Sequence, residues 1–254
     1  MKVRILGCGT STGVPKIGND WGRCDPNEPR NARLRTSILV ESAGARILVD
    51  CGPDLRQQLL AAEVGTLDGV IVTHTHGDHC HGIDELRPVS QAIGGPVPLH
   101  ARRDVLEELR QRFAFVFRQS DFYRAIAEAH ELGEELRFGD ARARFVDQPH
   151  GGTTSLGLRF DEGERSVGYA IDFNELNEEM AALYQGVDTW IADCLTRNPH
   201  PTHMHLDGVL SAARDLRVGQ LYLVHMGNGL DYRELVAELP DWAAPAYDGL
   251  EFDA

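Results

Sequence analysis

The 254-residue chain contains no apolar run of 18 residues, so the sequence offers no membrane-spanning helix. Its opening, MKVRILGCGTSTG, has too short an apolar stretch to read as a secretory signal, and the expected location is the cytoplasm. No CxxC pair occurs. The five cysteines (Cys8, Cys24, Cys51, Cys80 and Cys194) are odd in number and scattered, which argues against a disulfide frame and for free thiols in a reducing compartment. Basic residues are the minority: 25 Lys and Arg against 39 Asp and Glu leave a formal charge of −14. That sum repels a long polyanion, and no lysine-rich arm is present, so no extended nucleic-acid surface is expected. A small anion stays compatible, because two divalent cations can reverse the field inside one cleft.

What is present reads as alternating strands and helices without a low-complexity linker or an obvious short repeat. KVRIL opens a strand, followed by a Gly-rich turn over 7–13. SILVE (37–41) and RILVD (46–50) flank SAGA as a hairpin, and PDLRQQLLAAE begins a helix at Pro53. GVIVT (69–73) reads as a buried strand and residues 102–116 as one amphipathic helix. ARFVD (143–147), TSLGLRF (154–160), SVGYAID (166–172), DTWIADC and GQLYLVH read as strands; NELNEEMAALYQ, HLDGVLSAARDLR and DYRELVAEL read as helices. The pattern predicts one α/β domain over 1–254, with sheets carrying helices on their outer faces. Residues 118–135 are read as a surface excursion that covers the site.

The chemistry concentrates at residues 74–82, HTHGDHCHG, directly after the GVIVT strand. In an extended segment, side chains at i and i+2 point the same way, so His74 and His76 can grip one metal. Asp78 and His79 then turn onto a helix start and can present a carboxylate and an imidazole to a second ion. Nitrogen and oxygen ligands without thiolate suit zinc, manganese or iron. The competing reading is a solvated, His-rich turn.

HTHGDH after a hydrophobic strand resembles the signature of the metallo-β-lactamase superfamily, and the later residues fit it in order. Asp50 ends RILVD, His150 lies in DQPHGG, Asp172 in YAID and His225 in LVHM. The resemblance implies an αββα sandwich of two mixed sheets flanked by helices. It implies that His74, His76 and His150 hold one metal, that Asp78, His79 and His225 hold another, and that Asp172 bridges them. Asp50 is then either a residue that orients ligands or a strand-end turn residue. GCGTSTGVP, RNARLRTS and HGIDELRP are similar to the cyclic phosphodiesterases of the carbon–phosphorus lyase pathway and, more broadly, to relatives near the tRNA 3′-processing endonucleases. Those enzymes place an extra histidine beside the metals, matched here by His203, with His200 and His205 as competitors.

The implied activity is that of a dinuclear phosphodiesterase: a hydroxide shared by two Mn or Zn ions attacks a small cyclic phosphodiester, Asp78 helps hold the nucleophile and His203 protonates the leaving oxygen. Other hydrolases of the superfamily (thioester, lactone or RNA substrates) and a non-enzymatic metal or nucleotide sensor are the alternatives. The resemblance also allows a homodimer. Relatives carry a structural zinc on a CxCxxC segment and a later histidine; here those positions read Asn19, Trp21, Cys24 and Asn228, so no separate structural zinc is expected. GCGTSTG is a weak candidate for a phosphate cradle, and Arg33 and Arg35 are candidates to neutralise phosphate, although exposed arginines more often simply solvate a surface. His81, His100, His130 and Cys80 carry no assigned role.

Overall fold

The computed structural model describes residues 1–119 and 122–254. The first half runs β1 (Lys2–Gly7), β2 (Ser37–Ser42), β3 (Ala45–Val49), α1 (Leu55–Ala61), β4 (Gly69–Ile71), α2 (Gly77–Cys80), α3 (Arg87–Ile93), β5 (Val97–Ala101), α4 (Arg103–Arg112), α5 (Ala114–Phe117) and β6 (Ala127–Glu131). The second runs β7 (Glu135–Phe138), β8 (Ala141–His150), β9 (Thr153–Glu162), β10 (Arg165–Ala170), α6 (Glu178–Tyr184), β11 (Thr189–Asp193), α7 (Leu206–Asp215), β12 (Gln220–Val224), α8 (Tyr232–Glu238), β13 (Ala243–Pro245) and β14 (Glu251–Asp253).

These strands form two seven-stranded sheets, ordered β14-β1-β2-β3-β4-β5-β6 and β13-β12-β11-β10-β9-β8-β7. Each sheet is antiparallel on one side and parallel on the other. The change falls at β3 in the first sheet and at β10 in the second. Asp50 and Asp172 therefore follow corresponding strands, a repeat of topology that no short sequence repeat announces.

The sheets pack face to face with helices outside. Ile38 and Val40 of β2 join the core between the sheets, whereas Leu39 packs with Leu48, Val70 and Leu99 beneath Leu55, Leu106 and Leu109 of the helices. Alternate residues of β2 are thus buried on both faces, which is why its sequence is a near-continuous apolar run. Met180, Tyr184, Val209 and Leu235 bring α6, α7 and α8 into the core of the second sheet. Helix starts are capped locally: the Asn177 side chain accepts the Met180 amide, and Asp231 accepts those of Arg233 and Glu234. No helix among the described residues is long and apolar enough to cross a membrane.

Two readings of the sequence are corrected here. The amphipathic run 102–116 is two helices, because Phe113 leaves helical geometry (φ −123°, ψ 44°) between α4 and α5. The stretch 118–135 is not wholly a surface excursion. It contains β6, which pairs in parallel with β5 as the edge of the first sheet, hidden from a pattern search by its charged, alternately exposed sequence AEAHE. Residues 120 and 121 lie outside the described residues.

Candidate metal centre

The site is built where strands end. Asp50 follows β3, the 74–79 segment follows β4, His150 is the last residue of β8, Asp172 follows β10 and His225 follows β12. Asp50, Asp172 and His225 all have positive φ (64°, 51° and 56°), an uncommon conformation for non-glycine residues that turns each side chain out of its strand line. The α2 turn docks on the 50–52 segment through Cys51 N–H to the His79 carbonyl (2.8 Å) and Gly82 N–H to the Cys51 carbonyl (2.8 Å). Glycine is required at both contact points: a Cβ on Gly52 would lie 2.0 Å from the Asp78 carbonyl oxygen, and one on Gly82 1.9 Å from that of Gly52.

The centre of the cluster is the buried carboxylate of Asp172. Its Oδ2 lies 3.3 Å from His74 Nε2 and 3.3 Å from His150 Nε2, while His150 Nε2 is 3.3 Å from His76 Nδ1. Its Oδ1 lies 3.3 Å from His225 Nε2 and 3.6 Å from His79 Nε2. Asp78 Oδ2 completes this second set at 3.0 Å from His79 Nε2 and 3.4 Å from His225 Nε2.

The donor set fits divalent cations. His74 Nε2, His79 Nε2 and Asp172 Oδ1 are buried without a hydrogen-bond partner, and such groups are costly unless something else satisfies them. Separations near 3.3 Å are those between ligands sharing an ion at roughly 2.0–2.1 Å from each. Within 4.8 Å of one another lie ligand atoms of His74, His76, His150 and Asp172 in one group, and of Asp78, His79 and His225 in another.

The outer nitrogens of the imidazoles are held by the fold. His79 Nδ1 donates to Asp50 Oδ2 at 2.7 Å, and His150 Nδ1 donates to the Thr202 carbonyl at 2.7 Å. The Thr73 hydroxyl donates to Asp50 Oδ2 (3.0 Å), which leaves it as the acceptor for His74 Nδ1–H at 3.0 Å. Asp50 also accepts the Thr73 amide at 2.8 Å. One fully buried carboxylate thereby orients a histidine in each set, leaving Nε2 of both free to face an ion.

Electrostatics point the same way. Burial holds His74, His76 and His150 below the ordinary imidazole range, so they are neutral. Burial also opposes charge on His79 and His225, but the carboxylates around them outweigh it: His79 rises well above its ordinary value, through Asp78, Asp172 and Asp50, and His225 rises to about 9, chiefly through Asp172. Asp78 and Asp172 stay ionised far below the usual range despite burial, held down by His79 and His225 in particular. Without a cation, this carboxylate cluster favours protons on His79 and His225, the positions a divalent cation would take over.

The cluster forms the floor of a cleft of about 470 Å³, with Ser11, Gly152, Thr153 and Thr202 on its walls. His203 stands at the rim of the floor, stacked on His225 with centroids 4.9 Å apart and edge-on to His150 at 4.9 Å. Its Nδ1 lies 2.8 Å from Asp193 Oδ2, and Asp193 Oδ1 is 3.7 Å from His225 Nδ1. Asp193 was not singled out by sequence reasoning. The signal available was its place at the C-terminal end of a buried strand, a place like those of Asp50 and Asp172 just past their strands. His200 is exposed at the edge of this group, and His205 is the N-cap position of α7.

Other candidates lie elsewhere. Arg33 is buried and spends its guanidinium on the Leu230 carbonyl (2.7 Å), the Gly227 carbonyl (3.2 Å) and Asn31, so it braces a loop instead of meeting phosphate. Arg35 pairs with Asp54 at 2.9 Å and donates to the Ser11 carbonyl at 3.3 Å. The Gly-rich turn does not form the suggested cradle from its first amides: those of Cys8, Gly9, Thr10 and Gly13 donate to Asp248, Leu34, Met226 and Thr10. At the four positions matched to a structural zinc, Trp21 Nε1 donates to Asn19 Oδ1 (3.0 Å), and Cys24 Sγ lies 3.5 Å from the Asn228 carbonyl.

A family model for the β-lactamase superfamily domain matches residues 45–226. The chain is 30% identical to an octanoyltransferase of Porphyromonas gingivalis, across 99% of this chain and 51% of that protein. It is 28% identical to a ribonuclease Z of Archaeoglobus fulgidus, across 74% of this chain and 55% of the relative. It thus spans about half the length of these curated relatives. Among solved structures, a diphosphatase of the PhnP family superposes with a TM-score of 0.90 at 32% identity, covering 99% of this chain and 96% of the other. The matched region contains every strand end that contributes to the histidine–aspartate cluster, and the chain belongs to the metallo-β-lactamase superfamily, in company with the PhnP family.

Proposed function

We propose that residues 1–254 act as a single hydrolase domain, a metal-dependent phosphodiesterase that opens a small cyclic phosphodiester to a phosphomonoester. The substrate is a ribosyl 1,2-cyclic phosphate or a 2′,3′-cyclic nucleotide. The observation that carries this reading is the Asp172 carboxylate, each of whose oxygens faces a separate set of histidine nitrogens. His74, His76, His150 and Asp172 would hold one Mn or Zn ion, and Asp78, His79, His225 and Asp172 a second. Two such ions, when bound, supply an acidified water and screen the charge growing on phosphorus.

The chain's own residues supply the rest. Asp78, half-buried at the cleft floor, accepts a hydrogen bond from the attacking water. Asp193 accepts the Nδ1–H of His203, which leaves Nε2 of that ring to serve the substrate. As the water oxygen bonds to phosphorus and the ester P–O bond breaks, the departing sugar oxygen takes the Nε2 proton of His203, and the proton that the water gives up restores it. Strain in a five-membered cyclic phosphate assists the opening. Ser11, Thr153 and Thr202 offer hydroxyl and backbone groups to the sugar.

A second reading is thioester hydrolysis; one relative, matched over 51% of its length, is named an octanoyltransferase, an acyl-transfer activity. The cleft-lining residues are His, Asp, Ser, Thr and Gly, which give an octanoyl chain little apolar surface to bury against. The deciding experiment offers the manganese- or zinc-loaded protein 2′,3′-cyclic AMP, then a ribosyl 1,2-cyclic phosphate, then an octanoyl thioester, with products separated by chromatography. Turnover of a cyclic phosphate to a single phosphomonoester is expected. Turnover of the thioester alone, with metal bound, would replace this reading by the second.

A further inference from the structure

We infer that the C-terminal turn of α4 is a positioning element for the 74–79 turn, with Glu108 and Arg112 acting on the candidate metal ligands through Thr75. The inference rests on the reading of the histidine–aspartate cluster as a metal centre. Thr75 sits between His74 and His76, and its hydroxyl donates to Glu108 Oε2 at 2.7 Å. Its carbonyl accepts Arg112 Nη1 at 2.6 Å and Cys80 Sγ at 3.5 Å. Glu108 and Arg112 form an ion pair with each other one helical turn apart, so the two grips on Thr75 are themselves coupled. Phe113, the next residue, adds a third contact, edge-on to the His81 ring just past α2 at 5.7 Å.

The placement matters because Thr75 lies beyond the end of β4 at Ile71 and before α2 begins at Gly77, where no sheet ladder holds the chain. The peptide at Thr75 sets the angle between the His74 and His76 imidazoles, which stand edge to face with centroids 4.6 Å apart. Ligands must be held to within about 0.5 Å for a site to keep its geometry. Helix α4 supplies that anchor through Glu108 and Arg112. Neither Glu108 nor Arg112 lines the cleft or belongs to the metal-capable groups, so both act through Thr75.

The test uses the full chain carrying Thr75→Val, Glu108→Ala or Glu108→Gln, with zinc titrated against a chromophoric chelator and melts recorded on the metal-stripped protein. Thr75→Val and Glu108→Ala are expected to weaken zinc binding by roughly 10–100-fold. Glu108→Gln keeps an oxygen for the Thr75 hydroxyl and is expected to stay within about threefold of the parent. Metal-free melting should change little, because Glu108 is half-exposed. Zinc affinity within about twofold of the parent in both Thr75→Val and Glu108→Ala would overturn the inference, as would an affinity loss that merely follows a lost folded fraction. If the parent chain itself binds no zinc or manganese, the metal-centre reading falls with it, an outcome distinct from parent-like binding in the variants.

Discussion

Asp193 accepts the Nδ1–H of His203 at 2.8 Å, and the carboxylate is fully buried while the imidazole reaches the cleft. This pairing makes the ring orientation of His203 a property of the fold. Replacing Asp193 with Asn removes the charge and permits the wrong tautomer. We expect Asp193→Asn to lower kcat by roughly 10²–10⁴-fold. Metal content, measured by atomic absorption, should stay near that of the parent; loss of metal would instead place Asp193 among the ligands.

His203→Ala should lower turnover of a cyclic sugar phosphate by roughly 10²–10⁴-fold. A substrate whose leaving group needs no proton, such as bis(p-nitrophenyl) phosphate, should lose much less. Equal losses on both substrates in steady-state assays would show that His203 is not the proton donor.

Asp172 faces both sets of histidines, so its removal should affect both ions together. Asp172→Ala is expected to bind fewer than half of the parent's metal equivalents and to lose activity. His76→Ala, which touches one set, should retain the second ion more readily. Calorimetric titration of each variant with zinc separates the two, and retention of both ions by Asp172→Ala would end the bridging assignment.

Asp248 gives a pH signature away from the centre. Burial raises its carboxyl to about 6, although the Leu34 and Cys8 amides donate to it. The folded protein therefore holds this proton more tightly than the unfolded chain does. Its contribution to stability is complete below the ordinary carboxylate pKa near 4 and is lost as pH rises through about 6. Asp248→Asn cannot ionise, so its stability relative to the parent should improve from below pH 4 to above pH 6, by on the order of 3 kcal/mol. Urea unfolding at several pH values reads this directly, and a difference that stays flat across the window would contradict it.

Metal itself should stabilise the fold. Chelation is expected to lower the melting temperature, and saturating zinc to restore it; at a thousandfold excess over Kd the gain is about 4 kcal/mol. Differential scanning calorimetry with and without chelator checks this.

Much of this was readable in the chain because the candidate ligands sit at strand ends, where apolar runs stop and a charged or imidazole side chain follows. RILVD, GVIVTHTH and YAID each carry that punctuation. The hairpin between β2 and β3 was equally plain: Ala43 and Gly44 take the positive φ values (46° and 87°) that a two-residue turn requires. The edge strand β6 was not readable, since an exposed edge needs charge on its outer face and so loses the apolar pattern. The buried place of Arg33 fits neither reading weighed for it, phosphate partner or solvated surface cation, because an arginine that caps carbonyls inside a loop has the same letter as either.

The sequence alone determined the types and order of the ligand candidates and the strands that carry them, because hydrophobic periodicity and metal-ligand chemistry are local properties. Only the tertiary structure decided which nitrogen of each ring faces inward, that Asp50 serves His79 directly and His74 through Thr73, and that Asp193 holds His203. Asp50 stands 29 positions from His79 and 23 from Thr73, Asp193 stands 10 from His203, and Asp50 depends on a positive φ at a strand end. They arise when two sheets close on one another, and no pattern within a single segment encodes them.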